Sequence, residues 1–504
     1  MSMRHLVSCV ALVTGLGLLH AVGGCAVVVG ADFGDRTLGE GSDGVDPPDG
    51  TPSCDAPCPG APSRALWFGN KATQDEVRVT VGPSGEVYVA LDASGQMAYG
   101  DTTLGETNRR QTHLFQLDTS LEHQWAIGIG GGIDHRLADM ALHPTDGIVL
   151  AGNFKWDVDI GGKVISSGDW VYWEGFVARV DASGNPIWAV PLSGAGESVA
   201  HSVAVAPDGT IVLVGWFRGR LDAGAGLDSS DARRLFVVKF GQDGDVRWSK
   251  RFSVSPSHSV GVDVGPEGEI AIAGTFNGSF DIDDDEQPPL DSMADPNGYV
   301  FVLDPEGNFR WAQTQRSNSV VFPIDVLVES DERVLVTGYF LGKDVPFGDA
   351  AHPLTLTAKG QDAFLAAYDL EDGTPQWARA YGGEADDIGF RLESDGAGHV
   401  LWCGAHRSSM DLTEDGGPRL EQGEGREAFV FKFTPSSDDG PGPLRWASSI
   451  GGPGDQSALD VAGGPGTPIY AVGPTNHPFT LKGTDAAISV EDNGWDVWLV
   501  SFVP

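Results

Sequence analysis

The chain has 504 residues, with 71 Asp and Glu against 32 Lys and Arg, a net charge of -39 and 41% hydrophobic content. That acid excess excludes nucleic acid as a partner, because phosphate binding needs a basic face. The hydrophobic share is enough for a packed core and excludes a disordered chain. Glycine, at 70 residues, is about twice its usual share and lacks the triplet period of collagen, so many tight turns are expected.

Residues 1–24 read as an export signal. Arg4 and His5 give a short polar start, and Leu6 to Leu19 is almost wholly apolar but too short for a spanning helix. The stretch ends in Val22-Gly23-Gly24-Cys25, which resembles the lipobox of bacterial lipoproteins. That resemblance implies that Cys25 becomes a lipidated N-terminus; ordinary secretion with Cys25 near the cut is the alternative. Ala26 stands where enteric lipoproteins retained at the inner membrane carry Asp, which favours the outer membrane or cell surface, with the periplasmic side left open.

Residues 25–62 read as a tether rich in Gly, Pro and Asp, with no apolar period to bury. Cys54 and Cys58 within it are close enough for a local disulfide in an oxidising compartment. Cys403 sits in the apolar run Val400-Leu401-Trp402-Cys403 and is expected to be buried.

From residue 63 to 504 the chain repeats. Trp67, Trp125, Trp188, Trp248, Trp311, Trp377 and Trp446 recur at intervals of 58 to 69 residues. Most follow an alternating strand and an Asp-x-x-Gly turn, as in Phe176 to Trp188, a hairpin signal. A second hairpin follows each Trp and turns at Pro-x-Gly elements such as Pro207-Asp208-Gly209, where Pro presets one dihedral and Gly accepts positive φ. Each unit thus holds strands A and B around the first turn, a loop, then strands C and D around the second, with the Trp on D. Four antiparallel strands repeated radially predict an all-β, seven-bladed β-propeller. Six D strands follow their own C strand, so Ala65 to Phe68 is expected to complete the last blade beside Val497 to Val503.

The Asp-x-x-Gly-x-x-x-Trp element, the glycine pairs such as Gly382-Gly383 and the Pro-x-Gly hairpin together resemble the β-propeller repeat lipoproteins of the SBBP type, frequent in myxobacteria. The resemblance spans residues 63–504 and implies a fold but no reaction. The hairpin also resembles elements of two catalytic propeller families, quinone-dependent dehydrogenases and sialidases. The first is eight-bladed, and the second needs an arginine cluster for a carboxylate. One Trp per blade is expected to anchor the wedge between neighbouring sheets.

The long B–C loops and the D–A crossings share the face on which binding is expected. The blade 2 loop offers Trp156, Trp170, Tyr172 and Trp173 beside Asp157, Asp159 and Asp169, a combination suited to stacking a sugar and accepting its hydroxyls; packing under their own loop is the bland alternative. The blade 4 loop carries Asp281, Asp283 and Asp285, hard oxygen ligands that point to Ca²⁺, although Glu286 stands where an EF-hand loop wants Gly. The crossings carry Asp75, Asp134, His135, Glu197, His258, Asp386, Asp387 and Asp455. His135, His258 and Asp387 each fall ten residues after a Trp, which raises a metal, against the reading that each Asp caps a strand. No nucleophile elbow, zinc-protease motif or phosphate loop occurs. The expectation is a monomeric, non-enzymatic binding scaffold for protein or glycan at the bacterial envelope, touching the membrane only through lipid. A propeller enzyme, dehydrogenase or glycan hydrolase, is the alternative.

Overall fold

A computed structural model describes residues 9–10, 59–68, 74–99, 102–105, 110–131, 134–167, 171–224, 226–229, 232–282, 290–291, 296–329, 332–412, 419–434, 436–437, 440–477, 479–481, 487–488 and 496–504. Among them there is no helix; the chain is all-β. Alternation of apolar and polar residues, punctuated by glycine turns, leaves the backbone no other way to satisfy its amides.

Unit 1 pairs Gln74–Val81, Val87–Ser94, Arg110–Leu117 and His123–Gly130 in order. Unit 2 pairs Asp134–Leu142, Ile148–Lys155, Glu174–Val180 and Pro186–Pro191. Units 3 and 4 share the long strand Val246–Val264, whose front half pairs with Arg234–Phe240 and whose rear half pairs with Ile270–Asp281. Gly194–Val205 and Ile211–Leu221 complete unit 3, and Asn297–Leu303 and Phe309–Gln315 complete unit 4. Unit 5 pairs Val321–Glu329, Arg333–Leu341, Gln361–Asp369 and Pro375–Tyr381. Unit 6 pairs Ile388–Ser394, Val400–His406, Glu427–Phe433 and Leu444–Gly451. The last set pairs Asp460–Ala462, Ile469–Thr475 and Asp496–Phe502, and then takes Pro62–Phe68 from the other end of the chain.

The core lies between successive sheets. Leu213 and Phe236 of unit 3 pack against Val149, Val177 and Trp188 of unit 2. Leu66, Tyr470 and Val472 of the last set pack in the same way against Val77, Val89 and Phe115 of unit 1. Because both faces of a middle strand are covered, Val334 and Val336 on one face and Leu335 on the other are all buried.

The recurring Trp and the Asp-x-x-Gly turn belong together across units. The Trp125 indole donates to Ala182 O at 2.8 Å, Trp188 to Gln242 O at 2.8 Å and Trp311 to Leu370 O at 2.9 Å, each a carbonyl in the C–D turn of the next unit. The turn glycine meets the same ring. Gly184, Gly244, Gly307 and Gly373 have φ between +74 and +83, and a Cβ on Gly184 would lie 2.7 Å from Trp125. The turn Asp closes the loop locally: Asp181 Oδ1 accepts Ser183 N and Asn185 N at 2.9 and 2.8 Å.

Candidate functional site

Two regions carry chemistry. The first lies where the A strands converge. The residue paired with the position before the B-strand glycine is Asp139, Ser202, Asp325, Arg391 and Asp460 in five units, and Arg78 at the corresponding place in unit 1. Side chains two residues apart on a strand share a face. Asp263 and Glu393 therefore stand on the same line, where they border a cavity of about 360 Å³ with Thr80, Ala141 and Leu327.

Arg391 is the hub of this cluster. Its guanidinium lies 3.4 Å from Asp139 Oδ1, 3.4 Å from Asp460 Oδ1 and 3.8 Å from Asp325 Oδ2. Arg78 adds a 3.4 Å contact to Asp139. Most of these acids also accept a backbone amide from the next unit: Asp139 takes Val203 N at 3.1 Å, Asp263 takes Val328 N at 2.8 Å, and Asp325 takes Leu392 N at 2.8 Å. Asp460 takes Val79 N at 2.9 Å and so ties the last set to the first unit. The acids thus staple neighbouring inner strands.

Burial opposes ionisation here and pushes Asp263 and Asp325 up to about 6 and Glu393 up to about 8. Burial also disfavours charge on Asp139, but two guanidinium groups and two hydrogen bonds outweigh it and hold that carboxyl below its usual range. None of these residues stands among the sequence-based candidates. A signal for them does exist in the sequence: a single charge between two apolar residues, as in Val77-Arg78-Val79, Ile324-Asp325-Val326 and Leu459-Asp460-Val461.

The second region is the loop end of unit 2. After strand Ile148–Lys155 the chain kinks at Trp156, whose φ is +77, and enters the hairpin Asp157–Ile160 and Lys163–Ser166. The hairpin is anchored on unit 1 through Asp159↔Gly130 and Ile160↔Ile129, and Asp159 Oδ1 accepts Gly162 N at 2.6 Å. Trp156 is 45% exposed and Tyr172 44%. Trp173 is half-buried, with the Arg136 guanidinium 5.0 Å and the Lys155 ammonium 4.9 Å from its ring centre. Asp157 pairs with Ser166 in the hairpin. Asp169 and Trp170 lie outside the described residues.

The crossing residues are occupied locally. His135 is buried, and its Nε2 accepts Thr112 N at 2.8 Å. Asp387 is buried and accepts Arg407 N, Ser408 N and Gly383 N at 2.9, 3.2 and 2.9 Å. Asp455 pairs with Arg407 at 2.8 Å. Asp134 opens strand Asp134–Leu142, His258 falls within Val246–Val264, and Asp281 ends Ile270–Asp281. Among the described residues, no three His, Cys, Asp or Glu side chains converge as a metal site requires. Cys25, Cys54, Cys58, Asp283 and Asp285 fall outside the described residues. Cys403 is buried and unpaired, with its thiol pushed well up by burial.

One side-chain trio bears on catalysis. Ser449 Oγ lies 3.1 Å from His406 Nε2, and His406 Nδ1 lies 2.9 Å from Ser408 O. The serine, however, donates to Glu427 Oε2 at 2.6 Å, and both His406 and Glu427 are buried. The trio ties strands B, C and D of unit 6 together.

The repeated strand pairing, with its inter-unit Trp anchors, decides the architecture. By that pairing the chain is a β-propeller-like repeat protein. No protein-family model matches it. The regulatory protein FlaEY of Caulobacter vibrioides is 23% identical over 444 residues, which cover 81% of this chain and 45% of FlaEY. An uncharacterized WD repeat-containing protein, L264, of Acanthamoeba polyphaga mimivirus is 21% identical over 228 residues, 38% of this chain and 16% of L264. The chain thus spans less than half the length of these two relatives. Among solved structures, polysaccharide lyase Uly1 has a TM-score of 0.42 at 11% identity, with 85% of this chain and 90% of that one covered. The β-propeller domain of the Trilobed protease from Pyrococcus furiosus has a TM-score of 0.39 at 10% identity, with 84% and 99% covered.

Proposed function

We propose that the chain is a seven-bladed β-propeller closed by its own N-terminal strand, and that it works as a non-enzymatic binding scaffold, engaging glycan or protein through the loop end of unit 2. The pairing of Pro62–Phe68 with Asp496–Phe502 and the shared packing of the last set with unit 1 support the closed ring. The leader and Val22-Gly23-Gly24-Cys25 support export and a lipid anchor at the outer membrane or cell surface.

One observation carries the binding reading. Six large apolar side chains are exposed among the described residues, and five of them, Trp156, Val164, Val171, Tyr172 and Ile187, belong to unit 2 or its hairpin. The Lys163 ammonium reaches Ile187 O at 3.2 Å and so ties the hairpin to the outer strand of the same unit. Of these, Trp156 and Tyr172 flank the paired strand ends Phe154↔Glu174 and expose their rings at the same end of unit 2, and exposed apolar surface of this kind on an acidic chain marks an interaction site. The positive φ of Trp156 costs backbone energy that a folded chain retains where the side chain is used.

The paired variants Trp156→Ala and Tyr172→Ala test the reading on a glycan array and in capture of envelope proteins. Loss of every wild-type signal, with the melting temperature kept, supports it; unchanged signals refute it. Labelling with a radioactive fatty acid, present in wild type and absent in Cys25→Ser, tests the anchor.

A further inference from the structure

We infer that the unit 2 site takes an anionic sugar, one bearing a carboxylate or a sulfate, with Arg136 and Lys155 as its charge-recognising residues. The inference rests on the binding reading above and names the ligand class for the same surface.

Arg136 and Lys155 both sit on the Trp173 ring, 5.0 and 4.9 Å from its centre, so the two cations are at most about 10 Å apart, close enough to repel each other. Neither makes an ion pair among the described residues, although acids outnumber bases 71 to 32 in this chain. Elsewhere the half-buried Arg391 gathers three carboxylates. Two acids of unit 2, Glu174 and Asp134, stand on the adjoining strand ends. Glu174 is buried and accepts Ser193 Oγ at 3.3 Å, and Asp134 faces Lys155 across the strand pair without closing an ion pair.

The strand geometry explains the pairing of the cations. Asn153↔Arg136 and Lys155↔Asp134 are alternate cross-strand partners, with Phe154↔His135 between them, so Arg136 and Lys155 leave the same sheet face. Asn153 fixes that face, because its amide exchanges hydrogen bonds with Ala200 O and Ala200 N at 3.0 and 2.7 Å. Trp173 is held in turn by its carbonyl, which accepts Ser198 N at 2.9 Å. Two positive heads are thus preorganised on a flat ring, with the exposed Trp156 and Tyr172 adjoining them in sequence. A charged group on a sugar satisfies both cations through charge-assisted hydrogen bonds, while the ring's C–H face stacks on an exposed aromatic. A phosphopeptide would use the cations but leave the flat rings without a matching surface.

Affinity electrophoresis of the mature chain at about 0.15 M salt tests this, since long-range repulsion by the acidic surface is then screened beyond about 8 Å. The probes are dextran, dextran sulfate and polygalacturonate. The expected result is retardation by at least one of the two polyanions but not by dextran, and the polymer that retards tells sulfate from carboxylate. Arg136→Gln and Lys155→Gln should each weaken retardation about tenfold or more, and Arg136→Lys should recover most of it. Melting temperatures exclude misfolding of this exposed region. If the double Gln variant binds as the wild type does, or dextran binds as well as dextran sulfate, the inference is overturned. If only neutral glycans bind and Trp156→Ala removes them, the scaffold reading survives and the anionic class does not. Absence of any polysaccharide binding overturns the glycan assignment altogether, and binding of a protein alone leaves only the protein form of the scaffold reading.

Discussion

Gly60 lies against the Trp446 indole as Gly184 lies against Trp125. A Cβ on Gly60 would come within 2.5 Å of that ring, and its φ is +78. Yet Gly60 precedes the first long strand, and the turn it imitates is made from two chain ends. Gly60 N donates to Val503 O at 2.8 Å and Val503 N donates to Ala61 O at 3.0 Å. The missing C–D turn of the last set is rebuilt without a covalent link, and Trp446 packs on it and on Phe502, 5.6 Å away.

Gly60→Ala should therefore destabilise the protein more than Gly466→Ala. Both positions have positive φ, but nothing lies within 4 Å of a Cβ on Gly466. Gly466→Ala carries only the backbone cost, about 1 kcal/mol, and Gly60→Ala adds overpacking of about 1–3 kcal/mol. Urea unfolding midpoints measure both; equal losses would show that the rebuilt turn contributes nothing.

Arg391→Met should cost about 3–5 kcal/mol, because it strands Asp139, Asp325 and Asp460 without their shared cation. Much of the loss should return at pH 5, where protonation relieves the stranded acids. A loss that is the same at pH 5 and pH 8 would contradict the hub role.

Stability should fall as pH rises from about 6.5 to 9. Glu393 has a folded value of about 8 against an ordinary 4.5, so the native state holds a proton that the unfolded chain releases, and the native state loses ground until the group ionises in both. His113 and His201, lowered to about 4 by burial, act in the opposite sense, but only below about 6.5, where the unfolded histidines take up protons. Glu393→Gln should flatten the profile above pH 6.5 in chemical denaturation run across pH.

Trp156→Gly should leave stability unchanged or raise it by up to about 1 kcal/mol while removing ligand binding. The substitution relieves the left-handed backbone strain of a bulky, exposed residue. A clear loss of stability would mean that Trp156 serves packing instead.

The strand plan was legible in the sequence because turns and alternation are local. Asp-x-x-Gly, Pro-x-Gly and the spaced Trp residues each depend on a few neighbouring dihedrals, and the pairing of Ala65 to Phe68 with the C-terminal strand follows from counting C and D strands. Trp156, Tyr172 and Trp173 were legible as an aromatic loop, since that density of rings is visible without coordinates. The cations beside them were not, because Arg136 stands 37 residues before Trp173 and meets it only across a strand pair.

The sequence alone determined the secondary structure, the period and the Trp anchors, all of which follow from turn stereochemistry and burial within one repeat. Only the tertiary structure decided that Asp139, Asp325 and Asp460 converge on Arg391, and that Gly60 completes a turn begun at Val503. The reason is geometric: charges far apart along the chain become neighbours only when the sheets are set side by side, and no local rule encodes which residues then share a face.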